Sequence, residues 1–124
     1  MHLQHHHTGS TVVLSPAGRI DHASADDFRE AVTPWLDGCH DRPGGHALVF
    51  DMAGVDYISS AGLRVLMLAA KHCNPTGGRI VIAALQPVVD EIFRISRFDL
   101  LFTLHQTVAA AVASLPDGAS GQAS

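Results

Sequence analysis

The sequence is poor in charged residues. Only 16% of its 124 residues are Asp, Glu, Lys or Arg, below the share of about a quarter that is usual in soluble domains. A surface with so few charges favours an apolar patch for contact with another molecule. The eight Lys and Arg residues are scattered and the formal net charge is −4, whereas a nucleic-acid-binding protein usually carries a basic stripe. We therefore expect no nucleic-acid partner.

Long apolar runs are also missing. No run approaches the roughly 20 residues that span a bilayer, and the first residues lack the basic-then-apolar pattern of a signal peptide. These absences predict a cytoplasmic protein without membrane contact. There are only two cysteines, Cys39 and Cys73, far apart in sequence and without a CxxC pair. We expect two reduced thiols and no disulfide framework.

The N-terminal segment is rich in histidine, with four of the nine histidines in residues 1–9. The remnant of an expression tag, a metal site and a polar edge strand would each give this pattern. Successive side chains of a strand point to opposite faces, so His5, His6 and His7 cannot bind one ion together. No Glu, Asp or Cys nearby completes a ligand set. We expect no metal ion, and no motif indicates a cofactor.

Apolar residues, at 47% of the chain, are numerous enough for one core. We expect a single domain over residues 1–115 and, from its composition, a disordered tail at 116–124. Apolar periodicity predicts strands at about 2–7, 11–15, 47–52, 79–84 and 102–104, and helices at about 25–37, at 60–72, from Pro87 and after Thr107. This β-β-α-β-α-β-α-β-α order predicts an α/β fold with a mixed, mainly parallel sheet of about five strands and about four helices.

Several residues mark the ends of the first helix. Ser24 and Asp27 have the spacing of a capping box, and Pro34 should kink or end the helix near Thr33. The segment before it, PAGRIDH at 16–22, is predicted to be a loop.

Two serines stand where a strand is predicted to join a helix, within VDYISSAGLRVL at 55–66. Ser59 or Ser60 falls at the N-cap position, where a hydroxyl can accept a hydrogen bond from the first unpaired amides of the helix. The same helix start, with its positive dipole end, also accommodates a phosphate. The serines are therefore either structural caps or an acceptor whose phosphorylation adds negative charge to a binding surface.

The helix after these serines is apolar on two faces. One face carries Leu63, Leu66, Met67 and Ala70, and the other carries Val65 and Leu68. If the first face packs on the sheet, the second meets solvent or a partner. Alternatively, the sheet and a neighbouring helix bury both.

No catalytic constellation is visible. Asp51 and Asp56 could orient a base near Ser60, but His72 and His105 could approach only through the fold. The GxSxG, HExxH and dinucleotide motifs are missing. We therefore predict that the protein is not an enzyme. A small serine hydrolase is the alternative that a fluorophosphonate probe would test.

Several stretches, in a single order along nearly the whole chain, resemble one known family. VFDMAGVDYISSAGLRVLMLAAK at 49–71 resembles the signature of the STAS domain, in particular of the bacterial anti-sigma factor antagonists. GRID at 18–21 resembles the family's segment before the first helix. GGRIVIAAL at 77–85 resembles its fourth strand, and QPVVDEIFRISRFDLLF at 86–102 its following helix and final strand.

The resemblance implies partner switching. In this family the unphosphorylated antagonist binds an anti-sigma factor that is also a serine kinase, with an ATP-binding fold of the histidine-kinase type. That binding frees the sigma factor or other target regulator. The kinase then phosphorylates a serine at the start of the second helix and the complex dissociates. A metal-dependent PP2C-type phosphatase resets the antagonist.

Carried over without gaps, the family's Asp-Ser-Ser/Thr-Gly-Leu falls on residues 59–63. The implied phosphate acceptor is Ser60, and Ser59, which replaces the family's aspartate, is the alternative. Gly62 is expected to allow close backbone approach, and Asp21 is either part of the kinase-docking site or a turn former. The implied partner-binding residues are Asp21, Ser59, Ser60, Ala61, Gly62, Leu63, Arg64, Val65 and Leu68.

Within the same fold, another role stays open. The domain could be a non-switching STAS scaffold of a stress-signalling assembly, or an accessory subunit of a membrane transporter. Its serines would then act only as caps, so phosphorylation of Ser60 distinguishes the two roles.

Overall fold

The computed structural model describes residues 3–115. In this part of the chain, the strands are β1 Leu3–Thr8, β2 Thr11–Ile20, β3 Ala47–Asp51, β4 Gly54–Ile58, β5 Ile80–Ala83 and β6 Thr103–His105, and the helices are α1 Ala25–Val32, α2 Ser60–Cys73, α3 Pro87–Ile95 and α4 Val108–Ser114. The predicted α/β class is confirmed. The predicted tail at 116–124, and the start of the first predicted strand at His2, lie outside the described residues.

The strands form one mixed sheet in the order β1-β2-β3-β5-β6, with β4 also paired to β2. β1 and β2 are an antiparallel hairpin, and all other pairs are parallel. β2 is long enough to serve two partners in succession. Its residues 11–14 pair with β3, and its residues 17–20 pair with β4.

Helices cover both faces of the sheet. Val12 and Leu14 point into a core shared with α1, α2 and α3, whereas Val13 points into a smaller core under α4. The central strands are apolar on both sides, as their continuous apolar runs predict. This arrangement holds α1 and α2 side by side on one face.

Two predictions about strands need correction. β4 was not predicted at all, and the segment predicted as a loop at 16–22 is a strand as far as Ile20. Pro16 is tolerated because it falls between the two stretches of β2 that pair with β3 and β4, where no parallel partner needs its missing N–H. Gly18 adopts φ +91°, next to a shift of register opposite β4.

The helix ends agree with the sequence except at the two ends of α1. α1 ends at Val32, short of the predicted end at about 37, because Pro34 ends it near Thr33 as expected and lies in the 3₁₀ turn that follows. Pro87 begins α3, and the hydroxyl of Thr107 caps α4 by accepting a hydrogen bond from the N–H of Ala110. The predicted capping box at Ser24 is wrong, because its side chain makes no cap hydrogen bond.

The histidines of β1 contact an aromatic side chain. The rings of His5 and His7 lie 4.5 Å and 6.0 Å from the ring of Trp35, centroid to centroid. Within residues 3–115, no group of three or more His, Cys, Asp or Glu side chains could hold a metal ion. The same residues contain no helix long and apolar enough to cross a membrane.

Candidate functional site

Two strand-to-helix joints lie side by side at one edge of the sheet. β2 and β4 run parallel with Ile20 opposite Ile58, and each joint begins at the next residue. The N–H of Ser59 donates to the carbonyl of Ile20 at 2.8 Å. The fold therefore brings Asp21 next to the two serines, although they are far apart in sequence.

Ser59 is the N-cap of α2. Its backbone is extended, with φ −87° and ψ 172°, and its hydroxyl accepts a hydrogen bond from the N–H of Gly62 at 3.2 Å. Its carbonyl accepts the N–H of Leu63 at 2.9 Å. The half-buried hydroxyl of Ser59 is thus engaged in holding the helix start.

Ser60 is the first residue of α2, and it is exposed. The N–H groups of Ser60 and Ala61 have no carbonyl partner within the helix, as at every helix start. The first turn of α2 carries no acidic side chain, and the exposed Arg64 follows one turn later, on the same helix face as Ser60. This position offers amide donors, a positive dipole end and a nearby cation to an anion.

Gly62 presses the helix start onto the ends of both strands. A Cβ at this position would lie 2.7 Å from Cγ2 of Ile20 and 2.8 Å from Cγ1 of Ile58. Both isoleucines are fully buried, so they cannot move aside easily. The expectation of close backbone approach at Gly62 is confirmed, and this packing fixes where Ser60 is presented.

Asp21 is held in place by Ser24. Its carboxylate accepts the N–H of Ser24 at 3.0 Å, and the Ser24 hydroxyl lies 3.1 Å from the same oxygen. These bonds, the backbone one first, hold the pKa of the Asp21 carboxyl below its usual value. Asp21 therefore holds an ionised carboxylate, fixed by Ser24 and Arg19, one residue after the carbonyl that bonds Ser59.

Sequence reasoning missed the contribution of Arg19 and Tyr57. The guanidinium of Arg19 lies 4.1 Å from the ring centroid of Tyr57 and 3.5 Å from a carboxylate oxygen of Asp21. Arg19 and Tyr57 are cross-strand partners in β2 and β4. Only the pairing of the unpredicted β4 could have indicated this contact.

The second apolar face of α2 is only partly exposed. Val65 is 8% exposed, whereas Leu68 is 42% exposed. With Val32, Leu36 and Ala69, both line a groove of about 230 Å³ between α2 and the segment that contains α1. Val65, and likewise Leu63 in the main core, is therefore too buried for a broad direct contact. Leu68 is the exposed apolar member of the predicted set.

The site holds no nucleophile–base pair. Within the described residues, no hydrogen bond joins Ser59 or Ser60 to an imidazole. His72 lies about 18 Å farther along α2, where it bonds to Asp37 at 3.0 Å. Nothing in this geometry favours the serine hydrolase.

Comparisons with known proteins agree with this geometry. The STAS domain family matches residues 2–111. A protein of Bordetella bronchiseptica named as an anti-sigma factor antagonist, BtrV, is 35% identical over 97 residues, covering 78% of this chain and 79% of the relative.

Solved structures share the fold. A crystal structure of an anti-sigma factor antagonist from Mycobacterium paratuberculosis is 22% identical, with 94% of each chain covered and a TM-score of 0.81. The phosphorylated form of the Bacillus cell fate determinant SpoIIAA is 16% identical, with 91% of this chain and 98% of that chain covered and a TM-score of 0.65. These three proteins are named as regulators. The chain belongs to the STAS domain family, of the anti-sigma factor antagonist type.

Proposed function

We propose that this protein is the phosphorylation-controlled antagonist of a partner-switching module. Its unphosphorylated form binds an anti-sigma factor that is also a serine kinase with an ATP-binding fold of the histidine-kinase type. This binding releases the regulator that the kinase holds. Phosphorylation of Ser60 ends the complex, and a PP2C-type phosphatase restores the binding form.

The single observation that carries the proposal is the contrast between the two serines. The hydroxyl of Ser59 is engaged with the N–H of Gly62, whereas Ser60 is exposed at the first helical position. A kinase must reach the hydroxyl that it modifies, so the geometry favours Ser60 as the acceptor over Ser59.

A phosphate on Ser60 is compatible with the fold. It would carry about −1.5 to −2 charges and would lie at the positive end of the helix dipole. Arg64, one turn along, provides a cation at the spacing at which helical side chains pair. The solved phosphorylated form of SpoIIAA supports this compatibility, because it has the same fold.

The phosphate would act on binding, not on folding. Ser60, Arg64 and Leu68 are exposed at four-residue intervals along α2, and Asp21 lies beside its start. A partner that covers this strip would have to desolvate the phosphate, whose charge of about −1.5 to −2 Arg64 alone does not neutralise, next to Asp21. The unmodified hydroxyl imposes no such cost.

The test is phosphopeptide and intact-mass spectrometry on the protein purified from its native cells. A single phosphate on Ser60 is expected, and the Ser60→Ala variant should carry none. The matched Ser59→Ala variant should still be phosphorylated. A phosphate on Ser59 would leave the switch intact but overturn the choice of acceptor. No phosphate in any growth condition, including with the phosphatase inhibited, would overturn the switch.

One observation favours the non-switching scaffold instead. The first turn of α2 contains no acidic residue, because Ser59 stands where the resemblance implies an aspartate. If that charge were needed to engage the kinase or its metal, this chain would bind without being phosphorylated. Replacing Ser59 with aspartate would then create phosphorylation at Ser60 that the parent protein lacks.

A further inference from the structure

Two buried cysteines meet at the end of α2 opposite the serines. Cys73 is the last residue of α2, and Cys39 lies in the segment that leads from α1 to β3. They are 0% and 1% exposed and both are reduced. Neither takes part in the site described above.

Shared contacts hold the two residues together. The carbonyl of Leu36 accepts the N–H of Cys39 at 3.0 Å and lies 3.9 Å from Sγ of Cys73. The hydroxyl of Thr76 lies 3.4 Å from the carbonyl of Cys39 and 3.0 Å from that of Cys73. The two sulfurs are also close enough for each thiol to shift the pKa of the other. This proximity places the two thiols within reach of a disulfide.

We propose that Cys39 and Cys73 form an oxidisable dithiol, which a hydroperoxide converts to an intramolecular disulfide. The modification is separate from phosphorylation of Ser60 and does not depend on the function proposed above. It would join the carboxyl end of α2 covalently to the segment after α1.

The two sulfurs differ in acidity. The neighbouring thiol of Cys73 and burial raise the pKa of Cys39, whose Sγ lies 3.7 Å from the carbonyl of Arg79, whereas Cys39 lowers the pKa of Cys73. Cys73 is therefore the more readily formed thiolate, and the thiolate is the nucleophile. Cys39 remains a thiol beside it.

The proposed reaction runs in two balanced steps. The Cys73 thiolate attacks one peroxide oxygen and the O–O bond breaks, giving a sulfenic acid and hydroxide, which takes up the proton lost from Cys73 to form water. Sγ of Cys39 then attacks the sulfenic sulfur, and its own proton leaves with the hydroxyl group as a second water. Two thiols and one hydrogen peroxide thus give one disulfide and two waters.

Access to the buried thiols requires local opening, and the chain provides a segment suited to it. Residues 41–44, shortly after Cys39, are exposed, and Gly44 adopts φ +86°. Few backbone hydrogen bonds hold this segment, among them those from Asp41 to the carbonyl of Thr76 and from His46 to the carbonyl of Gly38. Such segments open at lower free energy than the core.

The test treats the purified full chain with hydrogen peroxide at neutral pH without denaturant, followed by acid quenching, denaturation and alkylation. Intact mass should fall by two hydrogen atoms, no thiol should be alkylated, and one peptide pair should join Cys39 to Cys73. The melting temperature should rise, and dithiothreitol should reverse both changes. Two alkylatable thiols after treatment, or disulfide-linked dimers, would overturn the proposal.

Single variants test whether the two sulfurs react with each other. In Cys39→Ser and in Cys73→Ser, the remaining cysteine has no partner and should accumulate the sulfinic acid in place of the intramolecular disulfide. A loss of two hydrogen atoms in either variant, as in the parent protein, would overturn the pairing. The wild-type measurement stands even if a variant does not fold.

Discussion

The two strand-to-helix joints at the site lie side by side but use their serines in opposite ways. The joint from β2 to α1 takes four residues, 21–24, and the joint from β4 to α2 takes only Ser59. In the longer joint, the hydroxyl of Ser24 lies 3.0 Å from the carbonyl of Arg19 and accepts the N–H of Asp21 at 2.9 Å. In the shorter joint, Ser59 caps the helix and Ser60 points to solvent.

The difference teaches how an exposed hydroxyl arises at a fixed position. A four-residue joint is long enough for its polar side chains to form hydrogen bonds with the backbone of the joint. A one-residue joint is too short for this, so the residue after the N-cap is already the first helical residue and its side chain faces solvent. Gly62 makes the short joint feasible by letting the first turn sit on Ile20 and Ile58.

The largest expected effect comes from filling the space under the short joint. Gly62→Val should lower the free energy of unfolding by about 2–3 kcal/mol, because two buried isoleucines would have to move. Urea unfolding measures it. The matched variant Ala61→Val, one residue earlier on a half-buried position, should cost below about 1 kcal/mol. Equal stability of the two variants would show that the close approach at Gly62 does not hold the joint.

The second effect concerns binding. Ser60→Asp should weaken binding to the kinase partner by roughly tenfold or more, since the partner would have to desolvate the new carboxylate even where Arg64 pairs with it. The variant Ser60→Asn controls for shape, because asparagine has the size and shape of aspartate without its charge, and it should retain most of the affinity. Calorimetric titration measures both, and melting should be nearly unchanged. Equal binding by the aspartate and asparagine variants would remove charge as the basis of the switch.

Most of the fold was predictable because it depends on apolar periodicity. The spacing predicted the four helices and the runs of β3 and β5, and Pro34 and Pro87 marked helix ends that the structure confirms. The strand β4 was not predicted because it is short and follows β3 after only two residues. Its partner is the distant end of β2, and such pairing leaves no local pattern.

The candidate site was predictable in its location but not in its contacts. The sequence placed Ser59 and Ser60 at a helix start, but could not say which of them caps the helix. It predicted a capping box at Ser24 where the structure has none, because the motif does not specify joint length. The contact of Arg19 with Tyr57 depends on strand register, which was beyond the reach of a single sequence.

A smaller effect distinguishes the two serines of the short joint. Ser59→Ala should lower the free energy of unfolding by about 1 kcal/mol, because the N–H of Gly62 loses its acceptor. Ser60→Ala should change it by less than about 0.5 kcal/mol, as expected of an exposed side chain away from such contacts. Thermal and urea unfolding of both variants provide the measurement. A larger loss in Ser60→Ala than in Ser59→Ala would reverse the assignment of cap and acceptor.

The smallest effect concerns the longer joint and depends on pH. The hydrogen bonds from Ser24 lower the pKa of Asp21 in the folded protein from its usual 3.8. The ionised carboxylate therefore stabilises the fold above that value, and its contribution is lost as the pH falls through the folded-state pKa. Asp21→Asn should thus be less stable than the parent at pH 7, and the difference in the free energy of unfolding should become smaller in acid.

Titration of the carboxyl groups by NMR should find the pKa of Asp21 below 3.8 in the parent. In Ser24→Ala, which removes the hydroxyl but keeps the N–H donor, this pKa should lie closer to 3.8. A gap that does not change with pH, or an Asp21 that titrates at its usual value, would mean that the longer joint is held by its backbone alone.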